Sequence, residues 1–111
     1  MPQFIYLLHD TPGFFSKLSP QEIQAVIEKY KKWGQSMREK NRLVGGQKLE
    51  DTTGRVLRGQ TMTDGPYAES KEVIGGYYIV EAKDYEEAVS LAKTCPHIQY
   101  GTIEVRKIDV V

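Results

Sequence analysis

Two short segments of the chain consist entirely of large apolar side chains, and they limit the available folds more than any other feature. Residues 4–8 read FIYLL and residues 77–80 read YYIV. Runs of this length predict β-strands, in which successive side chains point to opposite faces. Strands of a sheet with one face in water alternate apolar and polar residues. These two segments therefore predict a sheet that is covered on both faces.

Two helices are predicted between the strands. Ser19 and Pro20 mark the start of the first helix, with Glu22 placed to complete a capping box. Apolar side chains follow at helical spacing, so one face of this helix is apolar. Asp84 opens the second helix with a glutamate three residues later, and a proline stops it.

The remaining segments complete an alternating order of elements. Residues 43–49, 74–81 and 102–108 are predicted to be strands, and residues 55–58 a short hairpin arm. Strand, helix, strand, strand, helix, strand is the β-α-β-β-α-β ferredoxin-like plan, an α+β fold with two helices on one face of an antiparallel sheet. No element is left to cover the second face. We therefore predict a homodimer packed through the open sheet face.

Length and composition exclude several classes of protein. A chain of 111 residues fits one domain, residues 1–111. Because 15 basic and 15 acidic residues give zero net charge, we expect no nucleic-acid partner. No apolar run approaches the roughly 20 residues that span a membrane, so no membrane partner is expected. The lone Cys95 suits a reducing compartment and no signal-peptide pattern appears, so we expect a cytoplasmic protein.

No strong catalytic, cofactor or metal motif is present, so the candidates for chemistry are single residues. Asp64, in the tripeptide Asp64-Gly65-Pro66, and His97 are the candidate catalytic acid and base. Carboxylates and imidazoles are the side chains that most often move protons in enzymes. For Asp64 the favoured alternative is a turn in which it bonds its own backbone. For His97 the alternatives are a surface histidine or one that stabilises a helix C-terminus.

Four further residues are candidates for ligand binding. Tyr30 and Trp33, three residues apart on the first helix, are placed to line a pocket, and core packing is the alternative. Glu69 belongs to a charge cluster after the Asp64 turn, and such clusters are usually solvated. Arg106 lies on the last strand, on the face opposite the helices, where pairing with Glu104 is the structural alternative. No cofactor and no metal are predicted.

His9 and Asp10 are adjacent after the first strand. Neighbouring residues of a strand point to opposite faces, so their spacing alone does not make them a catalytic pair. We interpret His9 as a loop residue.

The chain resembles a known family over nearly its whole length. Between residues 43 and 106, the motifs LVGG, TDGPYAESKE, IGGYY, AKTCPH and GTIEVR resemble the signature of the DGPF group of the YCII-related proteins. Tyr67 stands where that group usually has phenylalanine. The resemblance implies a dimeric α+β barrel made of ferredoxin-like subunits, which agrees with the strands that are apolar on both faces.

The resemblance also bears on function. Related YCII-type proteins are proposed to be enzymes that use a histidine–aspartate pair, with the histidine on the first helix. Here Tyr30 lies near that position and the helix has no histidine, so the pair is not carried over and an enzyme would depend on Asp64 and His97. DGPF proteins are often encoded near extracytoplasmic-function sigma factors, which implies a regulatory or partner-binding role.

Two functions remain compatible with these residues. One is a small-molecule-binding protein or a cofactor-independent enzyme. Such an enzyme would catalyse an isomerisation or an elimination on a small metabolite by proton transfer, because the chain offers acids and bases without a cofactor motif. The other is a non-catalytic partner of a sigma factor or other transcription regulator, which docks through the loop at residues 64–72.

Overall fold

Six strands and two α-helices make up the fold in the part of the chain that the structure describes. The computed structural model describes residues 1–50, 52–65 and 72–111. In chain order the elements are β1 (Gln3–Asp10), α1 (Pro20–Glu39), β2 (Leu43–Lys48), β3 (Arg55–Arg58), β4 (Thr61–Asp64), β5 (Val73–Glu81), α2 (Tyr85–Ala92) and β6 (Thr102–Lys107). Short 3₁₀ turns at Phe15–Lys17 and Pro96–Gln99 precede α1 and β6.

Four of the strands form one antiparallel sheet, in the order β2-β5-β1-β6. Strands β3 and β4 form a separate two-stranded hairpin. Both helices pack on the same face of the four-stranded sheet. This is the predicted ferredoxin-like α+β arrangement.

Capping residues begin both helices where the sequence places them. Ser19 accepts a hydrogen bond from the amide of Glu22, whose carboxylate accepts one from the amide of Ser19, so the capping box is complete. Asp84 caps α2 by accepting from the amide of Glu87. The Glu87 carboxylate accepts instead from the amide of Lys83, so the second box is only half formed.

The hydrophobic core lies between the sheet and the two helices. Alternate residues of β1 point into it, and Phe4, Tyr6 and Leu8 are buried there. The other core residues are Trp33, Met37, Val80, Ala82, Ala88, Ala92 and Cys95.

The opposite face of the sheet is apolar at its centre. Ile5 pairs with Ile79 and Leu7 pairs with Tyr77 across β1 and β5, and all four side chains are partly exposed. Because the helices pack on the other face, these side chains meet no core of their own. Among the described residues, neither helix combines the length and the apolar character needed to cross a membrane.

One local prediction is wrong. His9 is not in a loop, because β1 continues through Asp10 and places His9 on the open face. The turn predicted at residues 63–66 is described only through Gly65, which lies in a bend, and Asp64 before it is the last residue of β4. It lies opposite Arg55 in the hairpin, with 3.1 Å between its carboxylate and the Arg55 Nε atom.

Candidate functional site

A cleft of about 740 Å³ opens between α1 and the sheet. Its walls come from α1, β2, β5, the end of β1 and the turn before β6. Gly46, Gly75 and Gly76 lie on two adjacent strands along this cleft. The volume falls within the range of roughly 300–1,000 Å³ that is usual for small-molecule sites.

A hydrogen-bonded cluster of three side chains lines the cleft. The hydroxyl of Tyr30 lies 2.9 Å from Nδ1 of His97. The other ring nitrogen, Nε2, lies 3.1 Å from the carbonyl oxygen of His9 and 3.4 Å from the Asp10 carboxylate. His97 and Asp10 are almost fully buried, and Tyr30 is partly exposed. The cluster thus connects the cleft to a buried carboxylate, and we call it the Tyr30–His97–Asp10 cluster.

The contacts of His97 determine where its proton lies. A carbonyl oxygen only accepts hydrogen bonds, so Nε2 carries a hydrogen and donates to the carbonyl oxygen of His9. In a neutral imidazole the other nitrogen then accepts, so the Tyr30 hydroxyl donates to Nδ1. This arrangement leaves the lone pairs of the Tyr30 oxygen for a ligand in the cleft.

Burial keeps the tyrosines of the cleft protonated. Burial, and then the charge of Asp10, raises the pKa of the Tyr30 hydroxyl far above its usual value of 10. Burial raises the pKa of Tyr78, which also lines the cleft, to about 12. At neutral pH Tyr30 therefore acts as a hydroxyl.

Two glycines make room for the buried pair. A Cβ atom at Gly75 would overlap the carboxylate of Asp10. At Gly101 a Cβ would overlap the carbonyl oxygen of His9 and crowd Nε2 of His97. Any larger residue at either position must displace the pair.

The comparison with known proteins agrees with this fold. The family model of the YCII-related domain matches residues 3–110. The chain belongs to the YCII-related family. No curated protein matches it.

One similar solved structure is the 5-chloro-2-hydroxyhydroquinone dehydrochlorinase TftG from Burkholderia phenoliruptrix AC1100, in complex with 2,5-dihydroxybenzoquinone. The TM-score is 0.52 at 16% identity, and the alignment covers 96% of this chain and 93% of that one. At this identity the likeness shows a shared fold, which confirms the predicted class.

In this YCII-related chain, the structure brings together two of the residues singled out from the sequence. Tyr30 and His97 are hydrogen-bonded and both line the cleft. Asp10 was missed because the first strand was predicted to end at residue 8. A signal was available, since extending the alternation of Phe4, Tyr6 and Leu8 by one step places a carboxylate at a core position.

Trp33 is a core residue and not a wall of the cleft. It packs against Tyr6 and Tyr78, and its indole N–H donates to the hydroxyl of Thr94 over 2.8 Å. Trp33 therefore packs toward the sheet, whereas Tyr30, about 60° away around the helix axis, borders the cleft. The alternative interpretation, core packing of an amphipathic helix, describes Trp33 correctly.

The other sequence candidates lie elsewhere. Asp64 and Arg106 are exposed, and neither lines the cleft. Arg106 lies 3.9 Å from Glu104, which also contacts the side chain of His9 on the open face. Glu69 lies outside the described residues. In the described ranges, no three His, Cys, Asp or Glu side chains gather closely enough to hold a metal ion.

Proposed function

We propose that this chain is a cofactor-independent enzyme that transfers protons on a small oxygenated ring, in an elimination or an isomerisation. The observation that carries the proposal is the 2.9 Å contact between the Tyr30 hydroxyl and Nδ1 of buried His97. It links a hydroxyl at the cleft to an imidazole whose other nitrogen is 3.4 Å from Asp10. Asp10 takes the acidic role that the sequence interpretation gave to Asp64.

Proton transfer in this cluster proceeds in two directions. An acidic hydrogen of the ligand passes to the oxygen of Tyr30 while Tyr30 gives its own proton to Nδ1 of His97. The imidazolium that forms keeps its second N–H between the His9 carbonyl and the Asp10 carboxylate, and the carboxylate charge stabilises it. Reversing the relay returns the proton to another ligand atom or to a leaving group. The proton count closes without a change in redox state.

The similar fold supports this class of reaction. TftG is described as a dehydrochlorinase and was solved with a dihydroxybenzoquinone. Loss of hydrogen chloride from a hydroxylated ring removes one proton and one leaving group. The Tyr30–His97–Asp10 cluster offers a hydroxyl and an imidazole for such a proton transfer, next to a cleft of suitable volume.

A second copy of the chain completes the proposal. Ile5, Leu7, Tyr77 and Ile79 form an apolar centre on the open face of the sheet. We propose that the open faces of two copies pack against each other, which removes this surface from water.

The regulator-partner alternative depended on the loop at residues 64–72, of which 66–71 lie outside the described residues. No observation on the described residues favours that alternative.

A matched pair of histidine variants tests the enzyme. The assay measures chloride release and ligand proton exchange on a panel of chlorinated and non-chlorinated hydroxyhydroquinones. We expect His97→Gln to lower kcat/KM by about 10²–10⁴-fold, as for loss of a general acid–base group. His9→Gln is the control, because its side chain lies on the open face while its backbone carbonyl is retained.

Two outcomes would contradict the proposal. One is turnover in His97→Gln that matches the wild-type rate. The other is a wild-type protein that neither releases chloride from any member of the panel nor exchanges its protons, because the cluster would then move no proton of this ligand class.

A further inference from the structure

We infer that the cleft takes a planar ligand with a negatively charged oxygen, and that Lys31 and Arg38 hold this charge at the mouth of the cleft. The charged oxygen is a carboxylate or an ionised ring hydroxyl. This inference rests on the proposed function, because it names the ligand class of the same site.

The spacing of the two cations on α1 supports the inference. Lys31, Gly34 and Arg38 stand at positions i, i+3 and i+7, so they share one face of the helix. All three line the cleft, and the two cations are exposed. Seven residues of helix span about 10.5 Å, so the cations flank a gap of two turns with the glycine between them.

Gly34 keeps this gap open. A Cβ atom at this position would come within only 3.8 Å of the Leu43 side chain and 4.0 Å of the Arg38 guanidinium, which are ordinary contacts. The core therefore does not require a glycine here. Glycine inside a helix destabilises it relative to alanine, so its presence is best explained by the space that it leaves along the cleft.

The charges along the cleft are unbalanced. Among the described residues that line it, Lys31, Arg38 and Lys48 are cations and Asp10 is the one carboxylate. Asp10 contacts His97 at the inner end. Within the described ranges, neither Lys31 nor Arg38 forms an ion pair with an acidic side chain. In a chain of zero net charge, this excess favours an anion.

The rest of the cleft suits a flat, largely apolar ring. Phe15, Leu43 and Tyr78 add apolar and aromatic surface. Gly46, Gly75 and Gly76 of β2 and β5 line the floor of this cleft. A ring that lies there can direct its charged oxygen toward Lys31 and Arg38 and a hydroxyl or acidic carbon toward Tyr30.

Titration calorimetry on the full chain with two pairs of probes tests the inference. The first pair is 4-hydroxybenzoate and its neutral isostere 4-hydroxybenzamide. The second pair is 4-nitrophenolate and neutral 4-nitroanisole. We expect at least one anion to bind roughly tenfold or more tightly than its neutral partner, as for a charge-assisted contact. The pair with the larger ratio shows whether a carboxylate or an ionised hydroxyl is recognised.

Two double variants locate the recognition. Lys31→Gln with Arg38→Gln should raise the Kd of the anion about tenfold and leave that of the neutral probe unchanged. Lys32→Gln with Lys40→Gln removes the same charge from exposed positions that do not line the cleft, so the Kd should change less than about twofold. Added salt should weaken binding of the anion alone.

Three results would overturn the inference: equal affinity for both members of each pair, equal weakening by both double variants, or no binding of any probe at millimolar concentration. The proposed function is tested separately, because the turnover rate of His97→Gln measures proton transfer and does not depend on whether the cleft prefers an anion. A failed charge preference with turnover that depends on His97 rejects the inference alone.

Discussion

The hydroxyl of Tyr30 donates to Nδ1 of His97 over 2.9 Å, and this bond joins the middle of α1 to the turn before β6. Tyr30 is partly exposed, whereas His97 is 1% exposed and Asp10 is 4% exposed. We therefore propose that a ligand exchanges protons with the imidazole through the tyrosine. This ordering distinguishes the cluster from a histidine that meets its ligand directly.

Removal of the Tyr30 hydroxyl should stop the chemistry without unfolding the protein. We expect Tyr30→Phe to lower kcat by about 10²–10⁴-fold, because His97 loses its path to the ligand. The lost hydrogen bond should lower the free energy of unfolding by about 1 kcal/mol. Tyr100→Phe is the control, because its hydroxyl contacts Lys29 and does not line the cleft. Steady-state kinetics and urea titration check both effects, and equal kcat for the two variants would refute the relay.

The fold was largely predictable from local patterns. The capping box at Ser19 and the apolar strands gave the order of elements, and that order is characteristic of one topology. Hairpin details were less predictable. Asp64 resembled a turn residue because Gly65 and a proline follow it, yet pairing with Arg55 extends β4 to include it. Cross-strand pairing is a contact between distant positions, which local propensity does not encode.

The candidate site was only half predictable. Tyr30 and His97 were identified separately as residue types suited to a pocket and to proton transfer. Their contact depends on how α1 packs over the sheet, which no local pattern reveals. Asp10 was missed because the length of β1 is set by its pairing with β5 and β6. Element ends are determined by partners as well as by local sequence.

Gly34→Ala should stabilise the protein and impair binding. Alanine in a helix interior is favoured over glycine by about 0.5–1 kcal/mol, and the added Cβ makes only ordinary contacts. The same methyl group narrows the cleft between Lys31 and Arg38, so we expect the Kd of an anionic ring probe to rise severalfold. Ala25→Gly is the control on an exposed position of α1, and it should destabilise without changing Kd. Thermal melts and calorimetry measure both. Unchanged binding in a stabilised Gly34→Ala variant would show that the ligand lies elsewhere.

A double-mutant cycle tests whether Gly75 exists to accommodate Asp10. We expect Gly75→Ala to cost about 1–3 kcal/mol, because the new Cβ overlaps the carboxylate. In an Asp10→Ala background most of this cost should disappear, since only the Cβ of residue 10 remains, at 3.7 Å.

Gly101→Ala provides the contrast in the same cycle. Its Cβ overlaps the backbone oxygen of His9, which stays in place when Asp10 is replaced, and approaches the Asp10 carboxylate only to 3.2 Å, so most of its cost should persist. Urea unfolding of the variants gives both coupling energies. Similar coupling of the two glycines to Asp10 would refute the steric explanation.

Stability should fall in alkali partly through Cys95. Burial raises the pKa of this thiol from 9.0 to about 11. The folded state therefore holds the thiol proton more tightly than the unfolded state. The contribution of the protonated thiol to the free energy of unfolding is fully present below pH 9 and is lost as the pH rises toward 11. Buried tyrosines such as Tyr78, with a pKa of about 12, add to the loss only above pH 10. Cys95→Ala should therefore flatten the decline in the free energy of unfolding between pH 9 and 10. An equally steep decline in the variant would exclude the thiol as the cause.

A lysine on the open face of the sheet should separate the proposed dimer. Ile79 pairs with Ile5 at the centre of the apolar patch, so Ile79→Lys would place a charge at the centre of the interface, where desolvation disfavours it. Light scattering after size-exclusion chromatography should give twice the chain mass for the wild type and one chain mass for the variant. Val89→Lys, on the exposed face of α2, is the matched control and should stay dimeric. A wild-type protein that is monomeric at micromolar concentration would show that the apolar face is tolerated in water. An unchanged mass for Ile79→Lys would place the interface elsewhere on the chain.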